Sequence, residues 1–143
     1  MNQHAILMPM LAQMILTLSV LFMIPCFRVF AIFQGKAHIK DYRYGDTESV
    51  PVTARLINRN LKNLLEIPVI FYALCLLIFV AELNTSTLTN LAWAFVAFRL
   101  VHSVIHIAYN NVNHRFAAFL GSVVSLIAML ILVLVSMPMQ SMV

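Results

Sequence analysis

The sequence predicts an all-α integral membrane protein, a four-helix up-and-down bundle, on three observations. Charged residues make up 10% of the 143-residue chain, against about 25% in a typical soluble domain. Hydrophobic residues reach 62% with only three glycines. The polar side chains are too few to cover a water-soluble fold, and disordered or low-complexity readings fall with it. Apolar runs separated by short polar links recur four times, and a bilayer span needs roughly 20 such residues. There is no room for a second domain, so residues 1–143 form a single transmembrane domain.

The first helix is expected over about 5–33, because Ile6 to Phe27 carries no charge, with Pro9 at its start and Pro25 towards its end. No basic segment precedes it and no small-residue cleavage site follows, so no cleaved signal peptide is expected. Ile67 to Ala81 is uncharged but too short to cross. The second helix therefore extends backward through Glu66, Asn63 and Lys62, over about 52–82. Leu88 to Tyr109 gives a third, about 87–110, with Arg99 at its middle. Phe116 to Ser136 gives the fourth, about 113–136, which Pro138 is expected to close. Residues 34–51 form the one long loop, including Lys40-Asp41-Tyr42-Arg43-Tyr44-Gly45-Asp46, and read as a solvated connector or a substrate lid. Cys26 and Cys75 fall inside spans and pack as small apolar residues, with no disulfide implied.

The basic residues orient the bundle. Seven of the nine (Arg28, Lys36, Lys40, Arg43, Arg55, Arg59 and Lys62) lie at or between the ends of helices one and two, and Arg115 lies between three and four. By the positive-inside rule both links face the cytoplasm and both termini face outward. The net charge of +4 is thus an orientation signal. No nucleic-acid surface is expected, since the cations do not repeat along one face with stacking aromatics.

Two polar stripes carry the chemistry. Arg55, Arg59, Asn63 and Glu66 share one face of helix two, and Arg99, His102, His106 and Tyr109 share one face of helix three. An ionisable group at membrane depth costs roughly 3 kcal/mol or more, so these groups are expected to face the bundle interior or a wet cavity. Glu66 is the only acid at that depth, and a Glu66–Arg99 ion pair is predicted. That pair alone is equally an internal clasp fixing helix register. The remaining cluster (Arg59, Asn63, His102, His106 and Arg115) is better explained by a cation-rich cavity opening to the cytoplasm. Such a cavity suits an anionic ligand beside a lipophilic co-substrate. His102 and His106 with Glu66 also have metal-ligand spacing, leaving a metal or haem site as an alternative, although two nearby arginines would repel a divalent cation. Serine-hydrolase and phosphate-cradling glycine motifs are absent, and helices one and four are too apolar for an ion path.

The string Arg59-Asn60-Leu61-Lys62-Asn63-Leu64-Leu65-Glu66-Ile67-Pro68 resembles the signature of the MAPEG superfamily, the membrane-associated proteins in eicosanoid and glutathione metabolism. Arg99-Leu100-Val101-His102-Ser103-Val104-Ile105-His106 is similar to the family's helix-three segment, and Arg115 stands where the family places a basic residue opening helix four. The resemblance covers nearly the whole chain. It implies a homotrimer that binds glutathione between protomers through Arg59, Lys62, Asn63, Glu66, His102 and His106. It further implies Arg115 as the catalytic cation stabilising the thiolate, and a lipophilic electrophile or hydroperoxide arriving from the bilayer. The chain departs from the eicosanoid-making relatives at His106, where they have Tyr, and at Ile67, Phe116 and Phe119, where relatives carry hydroxyl side chains. Ala108-Tyr109-Asn110-Asn111-Val112-Asn113-His114-Arg115 resembles a small bacterial branch, which implies the inner membrane. A non-catalytic protein of the same fold, binding a lipid or a partner, is the alternative.

Overall fold

The computed structural model describes residues 2–43 and 48–140. Four helices follow in order: α1 (Leu7–Phe33), α2 (Val52–Val80), α3 (Ser86–Ala108) and α4 (Val112–Gln140). Each is long and apolar enough to cross a membrane. A single 3-10 turn, Gln3–Ile6, precedes α1, and another, Ile39–Tyr42, lies in the first link. Tyr44 to Thr47, part of the long loop expected at 34–51, lie outside the described residues. Pro138 does not close α4, which runs on to Gln140.

The helix ends are built to turn, and the two later connections are short. After α1, Gly35 takes a left-handed φ of 67°, and Lys36 N–H reaches back to the Ala31 carbonyl at 3.0 Å. After α2, Glu82 does the same at φ 54°, with Leu83 N–H on the Ile78 carbonyl at 3.0 Å. These bonds satisfy carbonyls that a helix end leaves open. Thr85 then caps α3, its hydroxyl accepting from Leu88 N–H at 3.2 Å. A clasp at this same end ties the chain start to the α2–α3 link. Gln3 donates to the Glu82 carbonyl at 3.0 Å and accepts from Asn84 N–H at 3.1 Å.

Within the bundle α3 packs most extensively on α4, and α1 on α2. The centre is a stacked pair, Phe71 of α2 and Phe95 of α3, both fully buried with ring centroids 4.2 Å apart. On the α3–α4 contact, Gly121 lets the Phe98 ring approach so closely that a Cβ there would meet it at 2.7 Å. Small residues allow this in membranes, where close packing rather than expulsion of water joins helices. The core is thin, and much of the apolar surface faces outward, as a lipid solvent permits.

Candidate functional site

The helix-three stripe turns inward as its spacing predicts. Arg99, His102 and His106 are 0%, 3% and 2% exposed, and Ser103 is buried beside them. Tyr109, the last of the stripe, is exposed and shares a hydrogen bond with His114 Nδ1 at 3.0 Å. The helix-two stripe behaves differently. The buried face of α2 runs through Ile57, Leu61, Leu64, Pro68, Phe71 and Cys75, so the stripe lies to its side. Arg59, Lys62 and Glu66 are exposed on the protomer, while Arg55 and Asn63 are half-buried. Periodicity placed the stripe on one face but could not say which face the core would take.

Arg99 therefore meets the α2 backbone rather than a carboxylate. Its Nη2 donates to the Asn63 carbonyl at 3.0 Å. Its Nε and Nη1 have no hydrogen-bond partner among the described residues. The Glu66–Arg99 pair expected from the sequence is thus corrected. Glu66 projects from the flank of α2, and its charge acts on Arg99 only through space. The guanidinium carbon also lies 5.7 Å from the ring centroids of both Phe95 and Phe119.

Nearer the α3–α4 link, the two histidines meet Arg115. His102 Nδ1 is 3.0 Å from the Arg115 carbonyl. A carbonyl only accepts, so Nδ1 carries the proton, and Nε2 has no partner among the described residues. Arg115 Nη1 donates to Asn110 Oδ1 at 2.6 Å and lies 3.4 Å from His106 Nε2. Both of these partners are neutral acceptors, so the guanidinium charge is positioned without being cancelled. Asn110 can do this because it ends α3 at φ 50°, a left-handed conformation that asparagine tolerates, with its N–H on the Ile105 carbonyl at 2.7 Å. Asn111 then opens α4, its side chain accepting from the N–H groups of Asn113 and His114.

A cleft of about 190 Å³ opens here, lined by Asn63, His102, Val112, Arg115, Phe116 and Phe119. It unites three of the expected site residues, Asn63, His102 and Arg115, with His106 directly behind Arg115. Arg59, Lys62 and Glu66 do not line it. Among the described residues no three His, Cys, Asp or Glu side chains converge as a metal site. His102, His106 and Glu66 therefore form no metal centre within a protomer. Sequence reasoning passed over Asn110, whose signal is an asparagine just past a helix end. It also passed over Asn60 and Gln13, which are fully buried and whose side-chain amides have no hydrogen-bond partner among the described residues.

The model of the MAPEG family matches residues 6–135. The chain belongs to the MAPEG family. Comparisons with curated proteins and with solved structures gave no match. The family match takes in all of α1, α2 and α3 and most of α4, so every residue of the cleft falls inside it. With four membrane-length helices, this MAPEG protein is a multi-pass membrane protein.

Proposed function

We propose that this MAPEG protein is a glutathione-dependent transferase or peroxidase acting on lipophilic electrophiles or hydroperoxides. The observation that carries this reading is Arg115, a cation held by two neutral acceptors at the mouth of the cleft. A thiol with a pKa near 8.5 is mostly protonated at neutral pH, and a fixed neighbouring cation lowers that value by favouring the thiolate. The polar lining suits such a ligand, with the Arg115 guanidinium as donor on one side and, on the other, His102 Nε2, an acceptor with no partner among the described residues. Bound glutathione would supply a nucleophilic sulfur that either forms a C–S bond, as an electrophile's C=C π bond opens and takes up the thiol proton or as a leaving group departs with its electron pair, or takes the terminal oxygen of a hydroperoxide as the O–O bond breaks, leaving an alcohol and a sulfenic acid. In the second case a further glutathione gives the disulfide and water. Phe116 and Phe119 furnish an apolar wall for the lipophilic partner.

The same reading extends to assembly and placement. Glu66 stands midway along α2, about 21 Å from either end at 1.5 Å per residue, and is exposed on the protomer. A charge facing lipid there costs roughly 3 kcal/mol or more. A homotrimer would cover that flank and bring Arg59, Lys62 and Glu66 of one copy towards the cleft of the next. In this reading the membrane is a bacterial inner membrane, with the basic links cytoplasmic and both termini periplasmic, an orientation that the positive-inside rule supports.

The test is titration of the purified protein with glutathione, following thiolate absorbance in wild type and Arg115→Ala. A thiolate signal in wild type that disappears in the variant is expected. Binding without any thiolate signal would favour a non-catalytic binding protein, and no binding at all would end the glutathione reading.

A further inference from the structure

The link between α1 and α2 and the helix ends that flank it take no part in the cleft, yet together they carry ten of the chain's fourteen charges. From Arg28 to Lys62 there are seven basic residues against three acids. The described parts of the link do not hang free. Ala37 and Val50 are 4% and 2% exposed, which pins both sides of the link against the bundle. Between them the 3-10 turn Ile39–Tyr42 is closed by a reciprocal cap, with His38 N–H donating to Asp41 Oδ2 at 2.7 Å. The Arg28 guanidinium lies 5.1 Å from the Tyr42 ring centroid and draws the turn back onto α1.

This anchoring leaves two large apolar side chains bare. Phe33, the last residue of α1, is 86% exposed and Ile39 is 77% exposed. Lys36 and Lys40 are exposed between and beside them. Phe33 also continues the outward apolar surface of α1 formed by Phe22, Val29 and Phe30. A hollow of about 540 Å³ lies between Ile32 and the turn, with Ile32 and Ile39 giving it apolar walls and His38, Lys40 and Asp41 completing the lining. A connector in water would gain nothing from presenting a phenylalanine and an isoleucine this way. The boundary between headgroups and acyl chains rewards both halves of the pattern, since apolar tips enter the chains while lysine ammonium groups reach phosphates.

We infer that this link is a membrane-surface foot that holds an anionic phospholipid, with Phe33 and Ile39 at the acyl boundary and Lys36 and Lys40 on the headgroup phosphate. Charge complementarity selects the lipid. A juxtamembrane cation near an anionic leaflet gains enough to change occupancy roughly fivefold, and two together about thirtyfold. The inference is independent of the thiol chemistry proposed for the cleft.

Two measurements on the full-length protein in lipid nanodiscs test it. The first places a fluorophore at the foot, Ile39→Trp in a Trp93→Phe background, and adds lipids brominated high on the acyl chain. Quenching with blue-shifted emission is expected; unquenched emission at the position of water-exposed tryptophan overturns the proposal. The second compares retained lipids by native mass spectrometry after reconstitution in mixed phosphatidylglycerol and phosphatidylcholine. Wild type is expected to retain phosphatidylglycerol preferentially. Lys36→Gln with Lys40→Gln should reduce that preference about thirtyfold, with helicity and melting in neutral detergent unchanged. An equal preference in both proteins overturns the headgroup assignment.

Discussion

Replacing Asn110 by aspartate changes the charge of the cleft while leaving its geometry in place. The new carboxylate has the shape of the amide, keeps an oxygen for Arg115 Nη1 at the observed 2.6 Å, and tolerates the left-handed φ of 50°. The guanidinium therefore stays where it is, but its charge is neutralised by a neighbour. A sulfur resting against the far edge of Arg115 would lie roughly 6 Å from the added carboxylate, and at an effective dielectric of about 20 that repulsion is about 3 kcal/mol. This corresponds to about two pH units, or a hundredfold, in the thiolate equilibrium. The assay is a pH titration of thiolate absorbance for glutathione bound to wild type and to Asn110→Asp. The variant's midpoint should move upward by about two units, while its melting temperature stays level or rises through the stronger ion pair. Asn110→Gly keeps the backbone conformation and removes the acceptor, so its midpoint should move less. Identical titration curves for wild type and Asn110→Asp, both folded, would refute the idea that the net charge at Arg115 sets the thiolate.

Phe95→Ala should cost about 3–4 kcal/mol of stability, the lower part of the range for buried aromatics, because the unfolded reference in lipid is itself apolar. Leu100→Ala, half exposed on the outer side of the same helix, should cost under about 0.5 kcal/mol. Equilibrium unfolding in bicelles distinguishes them, and equal losses would contradict the Phe71–Phe95 stack as the packing centre. Gly121→Leu should destabilise by about 1–3 kcal/mol through its collision with Phe98. Adding Phe98→Ala should recover much of that loss, and a double-mutant cycle with no coupling would count against the contact. Thr85→Ala removes the cap of α3 and should cost about 1 kcal/mol, read as lowered melting and faster amide exchange at Leu88.

Particular residues show how far the sequence reaches. The four spans were legible because lipid demands long apolar runs and leaves few alternatives to a helix. The inward turn of Arg99, His102 and His106 was legible too, since their 3- and 4-residue spacing and their chemistry both call for shelter. Arg59 and Glu66 have equally regular spacing, yet they stand on the flank of α2. A hydrophobic helix offers several candidate buried faces, and packing among Leu61, Leu64 and Phe71 decided between them. The Arg99 contact with the Asn63 carbonyl was hidden for a different reason. Its acceptor is a backbone carbonyl of α2, which no pairing of side-chain charges reveals. Asn110 lacked any charge to draw notice, and only its conformation brings its oxygen onto Arg115.

The carboxylate at mid-height on α2 also bears on how the protein is made. A newly inserted protomer presents Glu66 to lipid until another surface covers it, a penalty of roughly 3 kcal/mol that would favour the associated form about a hundredfold. If protomers associate as proposed, the lone folded chain would be the disfavoured species, and any degradation acting on it would compete with association. Abundance would then respond steeply to synthesis rate, because crowding in the plane of the bilayer determines how soon protomers meet. Production at low density would yield little protein even from a sequence that folds without fault.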